Sequence, residues 1–155
     1  MDRDIDIVNL MIHAYKKSTK PFKIKVSGNS MTPVIQDGEY IIVKKSDQLR
    51  VGDIILFQYE ATKLLVHRIV KIRKTAIYTK GDYAVDIEIV DKDSIIGRVS
   101  DIVKNDCFYP LHKRGFHNHI IAILSFLVFL KWKKKNNYEL AMSCFCARMI
   151  QYISK

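Results

Sequence analysis

Three stretches of the chain carry side chains suited to nucleophilic or acid–base chemistry. The first, Ser27-Gly28-Asn29-Ser30-Met31-Thr32-Pro33, lies between a strand-like run and the turn signal Asp37-Gly38, so Ser30 is presented on a tight loop. A hydroxyl there is a nucleophile only if a base reaches it. Met31 is expected in an apolar pocket and Pro33 at a stiff loop exit, which fixes the Ser30 amide as a donor to a developing oxyanion. Both residues read equally well as core and turn.

The second stretch is Leu64-Leu65-Val66-His67-Arg68-Ile69-Val70, where strand alternation puts His67 on the face of Leu65 and Ile69. A neutral imidazole accepts a hydroxyl proton near neutral pH when an acceptor holds its other nitrogen. Without such company a strand histidine is a packing residue. The third stretch, Thr79-Lys80-Gly81-Asp82-Tyr83-Ala84-Val85-Asp86, supplies carboxylates shortly afterwards. Either Asp82 or Asp86 serves to orient an imidazole and stabilise its charged form. Because Gly-Asp is also a frequent turn pair, Asp86 is favoured for the imidazole and Asp82 for the turn.

The elements that must position these residues follow from periodicity. Ile5, Val8, Ile12 and Tyr15 recur at helical spacing with Asp4 as a cap, and the basic stretch 16–20 and Pro21 end that helix. From Phe22 the period becomes two. Phe22, Ile24 and Val26 alternate with lysines, and strand-like runs follow at 40–43, 53–59, 64–74, 76–80 and 95–103, separated by Asp37-Gly38, Val51-Gly52-Asp53 and Gly81-Asp82. This pattern predicts a mainly β fold, a compact antiparallel sheet that curls on itself or forms a partial barrel.

Past Pro110 the character changes. Residues 119–132 predict a helix without a polar face, whose apolar core, 120–130, is broken by Ser125 and followed by Lys131, Lys133, Lys134 and Lys135. That core is short of the ~20 residues that cross a bilayer. It suits lying in the membrane interface, packing on the β domain, or docking a partner. Met142, Phe145, Met149 and Tyr152 predict a further amphipathic helix over 138–153. The expected organisation is thus a helix over 1–20, a catalytic β domain over 21–110, and a basic, apolar helical region over 111–155.

Composition narrows the partners. The 155 residues are 48% hydrophobic, enough for one core, and carry a formal net charge of +10, which draws the surface toward acidic peptides, anionic lipid or nucleic acid. No aromatic and basic residues interleave into a stacking platform, and no nucleic-acid partner is expected. Cys107, Cys144 and Cys146 lack framework spacing and predict reduced thiols in a reducing compartment. His13, His112, His117 and His119 read as surface or packing residues without a metal site, and no cofactor is expected. Residues 1–20 include Asp2, Asp4 and Asp6 and no long apolar run, so neither a secretory signal nor a span is read there. The expectation is a cytoplasmic protein, with peripheral contact to anionic membrane through the C-terminal helix as the alternative.

In order along the chain, Gly28-Asn29-Ser30-Met31-Thr32-Pro33, Gly52-Asp53-Ile54-Ile55-Leu56-Phe57, Val66-His67-Arg68-Ile69, Thr79-Lys80-Gly81-Asp82 and Ile96-Gly97-Arg98-Val99 resemble the boxes of signal peptidase I and its relatives. The family carries lysine or histidine as base in the third box, so this chain resembles the histidine type of endoplasmic-reticulum, archaeal and some bacterial enzymes. The resemblance implies Ser30 and His67 as the working pair. It places Gly28, Asn29, Met31 and Pro33 around the substrate and oxyanion. It also implies the curled β fold shared with the LexA-like modules of SOS repressors, with a shallow groove that takes an extended substrate by strand addition.

The expected activity is a serine endopeptidase that removes a signal or leader segment from a precursor peptide or preprotein. A looser similarity to small proteins encoded beside ribosomal-peptide modification systems favours a leader peptide. Three departures stand out. No spanning helix like that of the membrane-bound members is read. Gly28 replaces a serine that some relatives use as second oxyanion donor, so that donor comes from elsewhere. The spacing after Asp82 is also shorter than in some relatives. An SOS-type autopeptidase normally uses lysine and follows a DNA-binding domain, for which about twenty residues before Phe22 are too few. The remaining alternatives are a peptide-binding module of the same fold without chemistry, and a membrane-peripheral signal peptidase acting on exported preproteins.

Overall fold

Apolar residues at every third or fourth position form α1, Asp2–Lys17, in the computed structural model, which describes residues 2–111 and 115–135. The helix begins ahead of Asp4, which therefore lies inside it rather than capping it. Ile12 is buried, and Tyr15 stacks on Phe22 with ring centroids 4.2 Å apart, which ties the helix to the strand that follows.

Eight strands then build one antiparallel sheet: β1 Phe22–Lys25, β2 Tyr40–Lys44, β3 Ile54–Glu60, β4 Lys63–Ile72, β5 Ile77–Lys80, β6 Glu88–Val90, β7 Ile95–Lys104 and β8 Cys107–Pro110. Their order is β1-β2-β7-β3-β4-β5-β6, with β8 paired to β7. The period-two reading located six of these strands. It did not separate β6, which is only three residues long, or β8, which is joined to β7 through Asn105 and Asp106. Both of those residues have positive φ (48° and 59°), the backbone of a two-residue hairpin turn that Asn and Asp tolerate better than most side chains.

The sheet is buried on both faces. In β3, Ile54 and Leu56 join one core with Ile12, Met31, Ile41 and Ile121, while Ile55 and Phe57 join a second with Ile69, Ile77 and Val90. Alternation therefore reads as a continuous apolar run in this central strand, with each fully buried aliphatic side chain contributing about 1.5–3 kcal/mol. Helix α2, Gly115–Lys135, covers the first core with Asn118, Ile121, Ala122 and Ser125, a stripe spaced by three or four residues. Helix packing on the β domain thus accounts for one side of the apolar stretch. The helix expected over 138–153, with Cys144 and Cys146, and also His112 lie outside the described residues. Cys107 is a free thiol exposed on β8.

Adjacent residues of β4 point to opposite faces. His67 stands opposite Ile55 on the second-core side, and Arg68 opposite Ile54 on the first-core side, where it is fully buried. All three of its nitrogens are engaged there. Its Nε and Nη2 donate to Asp82 Oδ1 and Oδ2, both at 2.8 Å, and its Nη1 donates to the Gly52 carbonyl at 2.8 Å. Asp82 therefore holds its turn by a buried, bidentate ion pair rather than by ordinary turn chemistry. Removing one partner of such a pair leaves an uncompensated buried charge. Asp82→Asn is expected to lower stability by about 3–5 kcal/mol in urea unfolding, whereas exposed Asp86→Asn stays within about 0.5 kcal/mol of wild type. Equal stability of the two variants would contradict this role for Asp82.

Candidate active site

The Ser30 loop is anchored at both ends. Met31, Val34 and Ile35 are buried in the first core, and the Ile35 amide donates to the Met31 carbonyl. On the other side, Gly28 turns the chain at φ 101°, a conformation that L side chains rarely adopt, and its amide donates to Asp37 Oδ1 at 2.7 Å. The Gly28 amide is thus engaged inside the loop and is no donor to an oxyanion. Asn29 is exposed, and its carbonyl accepts from the Thr32 amide at 3.1 Å, while Pro33 is half-buried at the loop exit. Met31 and Pro33 shape the loop from beneath. Among the described residues the Ser30 amide has no acceptor.

The turn after β5 presses directly on Ser30. The Tyr83 amide donates to the Ser30 carbonyl at 2.8 Å. A Cβ on Gly81 would stand 2.6 Å from that carbonyl oxygen and 3.0 Å from Ser30 Cβ, so only glycine allows this approach.

His67 approaches from β4. Its ring packs on Phe57 at 6.2 Å between centroids with planes 62° apart. Nε2 lies 3.1 Å from Ser30 Oγ, and Nδ1 lies 2.8 Å from Glu88 Oε2. With Nδ1–H donated to the carboxylate, Nε2 is left with a lone pair that can accept a hydrogen bond from the Ser30 hydroxyl. The Thr79 hydroxyl donates to the same Oε2 at 3.2 Å and fixes the carboxylate. The imidazole is buried and the Glu88 side chain nearly so, which strengthens their interaction relative to water.

The structure therefore brings together Ser30 and His67, and it corrects the choice of acid. Neither Asp86 nor Asp82 meets the imidazole. Asp86 precedes β6 and is exposed, and both oxygens of Asp82 are taken by Arg68. Glu88 pairs with Thr79, and Thr79 pairs with Ile69, on the same face as His67, so register alone delivers the Glu88 carboxylate. Sequence reasoning missed it by attending to carboxylates of the turn. The available signal was the alternation Asp86-Ile87-Glu88-Ile89-Val90, which marks a short strand.

Lys80 was also missed. It pairs with Arg68 across β4 and β5, and its Nζ, almost wholly buried, donates to the Gly81 carbonyl at 3.0 Å and to Ser125 Oγ of α2 at 2.9 Å. Burial pushes its ammonium down to about 8, against the opposing pull of the Asp82, Glu88 and Asp86 carboxylates.

Residues 2–100 match the model of the family described as Peptidase S24-like, a span that includes Ser30, His67 and Glu88. No curated protein matches the chain.

The depressed Lys80 ammonium has a thermodynamic signature. Between about pH 8 and pH 10.5 the unfolded chain holds this proton and the folded protein releases it, so the burial penalty, complete below pH 8, is relieved as pH rises. The relief amounts to about 3 kcal/mol over that window. Urea unfolding of wild type and Lys80→Met at several pH values is expected to show the wild type gaining on the variant as pH rises. A constant difference between the two would show that Lys80 keeps its ordinary proton affinity.

Proposed function

This chain belongs to the Peptidase S24-like family, and from that premise we propose that it is a serine endopeptidase that cuts a signal or leader segment from a precursor peptide or preprotein. One observation carries the proposal: Ser30 Oγ, the His67 imidazole and the Glu88 carboxylate form one hydrogen-bonded line, at 3.1 and 2.8 Å.

In this reading the Ser30 hydroxyl attacks the scissile carbonyl while His67 Nε2 takes its proton. The imidazolium so formed is stabilised by Glu88. The Ser30 amide is one donor to the tetrahedral oxyanion. His67 then passes its proton to the leaving amine, and water, activated by the same imidazole, hydrolyses the acyl-enzyme. An extended substrate is favoured because the sheet path ends at β1, which leads toward the Ser30 loop, and at β6, which carries Glu88. Terminal strands of this kind leave backbone groups for an added strand.

Where the enzyme meets its substrate is a second part of the proposal. No helix among the described residues is long and apolar enough to cross a membrane. The face of α2 turned away from the sheet nevertheless exposes Ile123, Leu127 and Leu130, spaced by four and three residues, and Lys131, Lys133, Lys134 and Lys135 follow in the sequence. Apolar side chains at helical spacing beside clustered lysines complement an anionic lipid surface, to which each lysine adds about 1 kcal/mol. We place the protein in the cytoplasm, with peripheral contact to anionic membrane through α2.

A fluorophosphonate probe reads the nucleophile without a known substrate. Wild type is expected to label at Ser30, with labelling reduced about 10⁴-fold or more in Ser30→Ala and His67→Ala, about 10²–10⁴-fold in Glu88→Gln, and unchanged in Asp86→Asn. Wild-type protein that stays unlabelled yet binds extended peptides is instead a binding module. Intact mass after incubation separates action on other chains from self-cleavage. For the surface contact, flotation with phosphatidylserine-containing vesicles is expected to carry wild type but not Leu127→Glu, and neutral vesicles are expected to carry neither. Wild type left behind by anionic vesicles would remove the membrane contact.

A further inference from the structure

Helix α2 begins at Gly115, beyond the residues matched by the family, and it packs on the face of the sheet opposite His67. It nevertheless reaches the catalytic loop through two buried routes. We infer that α2 is a positioning element of the active site, which holds the turn of residues 80–83 against Ser30 through the Lys80–Ser125 hydrogen bond and through Gly52 and Arg68.

The first route starts at Ser125 Oγ, which accepts from Lys80 Nζ at 2.9 Å, while the same ammonium donates to the Gly81 carbonyl at 3.0 Å. Both side chains are out of water, so no solvent substitutes for the Ser125 hydroxyl without opening the helix. The second route starts at the backbone of Asn118 and His119, which lies so close to Gly52 that a Cβ there would stand 3.0 Å from it. The Gly52 carbonyl accepts from Arg68 Nη1, and Arg68 grips Asp82 with its other two nitrogens. Asn118 in turn donates to the Leu111 carbonyl at 3.1 Å, which fixes the start of the helix to the end of the sheet.

Both routes converge on consecutive residues, Lys80 to Asp82. Gly81 is the residue that touches Ser30, and Tyr83 donates to the Ser30 carbonyl. Displacement of α2 therefore frees the turn that lies directly against Ser30 and helps set where its hydroxyl stands relative to Nε2. Ser125 and Lys80 are positioning residues in this scheme. Neither side chain hydrogen-bonds to Ser30 or His67, and Lys80 spends its ammonium on the helix and the turn.

The consequence for rate rests on the reading of Ser30 as nucleophile, whereas the positioning itself is read separately by amide exchange. Four proteins decide it: wild type, Ser125→Ala, Ser125→Thr, which restores a hydroxyl, and Ile12→Ala, which weakens the same core from α1, outside both routes. In Ser125→Ala the Tyr83 amide is expected to exchange about tenfold faster relative to the amides of β3. The maximal rate of fluorophosphonate labelling should fall by up to about 10²-fold with probe affinity unchanged. Ser125→Thr should recover most of both, and Ile12→Ala should show neither change at a comparable loss of melting temperature. A Ser125→Ala protein that melts cooperatively and keeps wild-type exchange at Tyr83 overturns the inference, as does an equal local effect in Ile12→Ala. Absence of labelling in wild type defeats the peptidase reading alone, and Tyr83 exchange then still decides whether α2 holds the turn.

Discussion

Neighbouring residues of a strand face opposite ways, and in β4 both of them are polar and buried. His67 looks to one side of the sheet and Arg68 to the other, each in low-dielectric surroundings that make an unpaired polar group expensive. The segment after β5 answers both demands. Asp82 reaches the guanidinium on one face, and Glu88, six residues on, reaches the imidazole on the other. Because the two carboxylates lie in one short segment, the ion pair that closes one core is tied to the strand that carries the imidazole's carboxylate partner.

A buried arginine is a poor source of net stability, since desolvation consumes most of what the pair gains. Its value here is positional. With three nitrogens committed to Asp82 and the Gly52 carbonyl, Arg68 leaves the 81–83 turn little freedom, and that turn lies against Ser30. Structure and site are coupled through backbone contacts as much as through side chains. The absence of a side chain at Gly81 and the donation from Tyr83 set the height of the serine loop, while Met31 and Ile35 fasten it from below.

Lys80 adds a second cation within reach of the same carboxylates, yet its ammonium is turned to the helix side of the sheet, toward Ser125. The site thus separates two tasks. The imidazole is the group within proton-transfer distance of the serine hydroxyl, while the lysine and arginine hold the framework. The composition of α2, apolar almost all round, leaves apolar side chains on two sides of the helix. Asn118, Ile121, Ala122 and Ser125 face the sheet, and Ile123, Leu127 and Leu130 face outward.

Local pattern determined a great deal. Alternating or continuous apolar runs over 40–43, 53–59, 64–74 and 95–103, bounded by turn signals, are sufficient to identify the central strands, because a strand buried on one or both faces leaves its mark within a few residues. The ordered boxes around Ser30 and His67 were legible for the same reason, being short runs with their own turn chemistry. Which of the carboxylates at 82, 86 and 88 meets the imidazole was not, since the answer depends on where a three-residue strand starts and on the β5–β6 register that sets Glu88 beside Thr79. The engagement of Gly28 by Asp37, the role of Gly81 beneath Ser30 and the link from Lys80 to Ser125 were likewise decided by the tertiary structure. Each joins residues whose sequence separation carries no periodic signal, and only the packed sheet and helix bring them within contact.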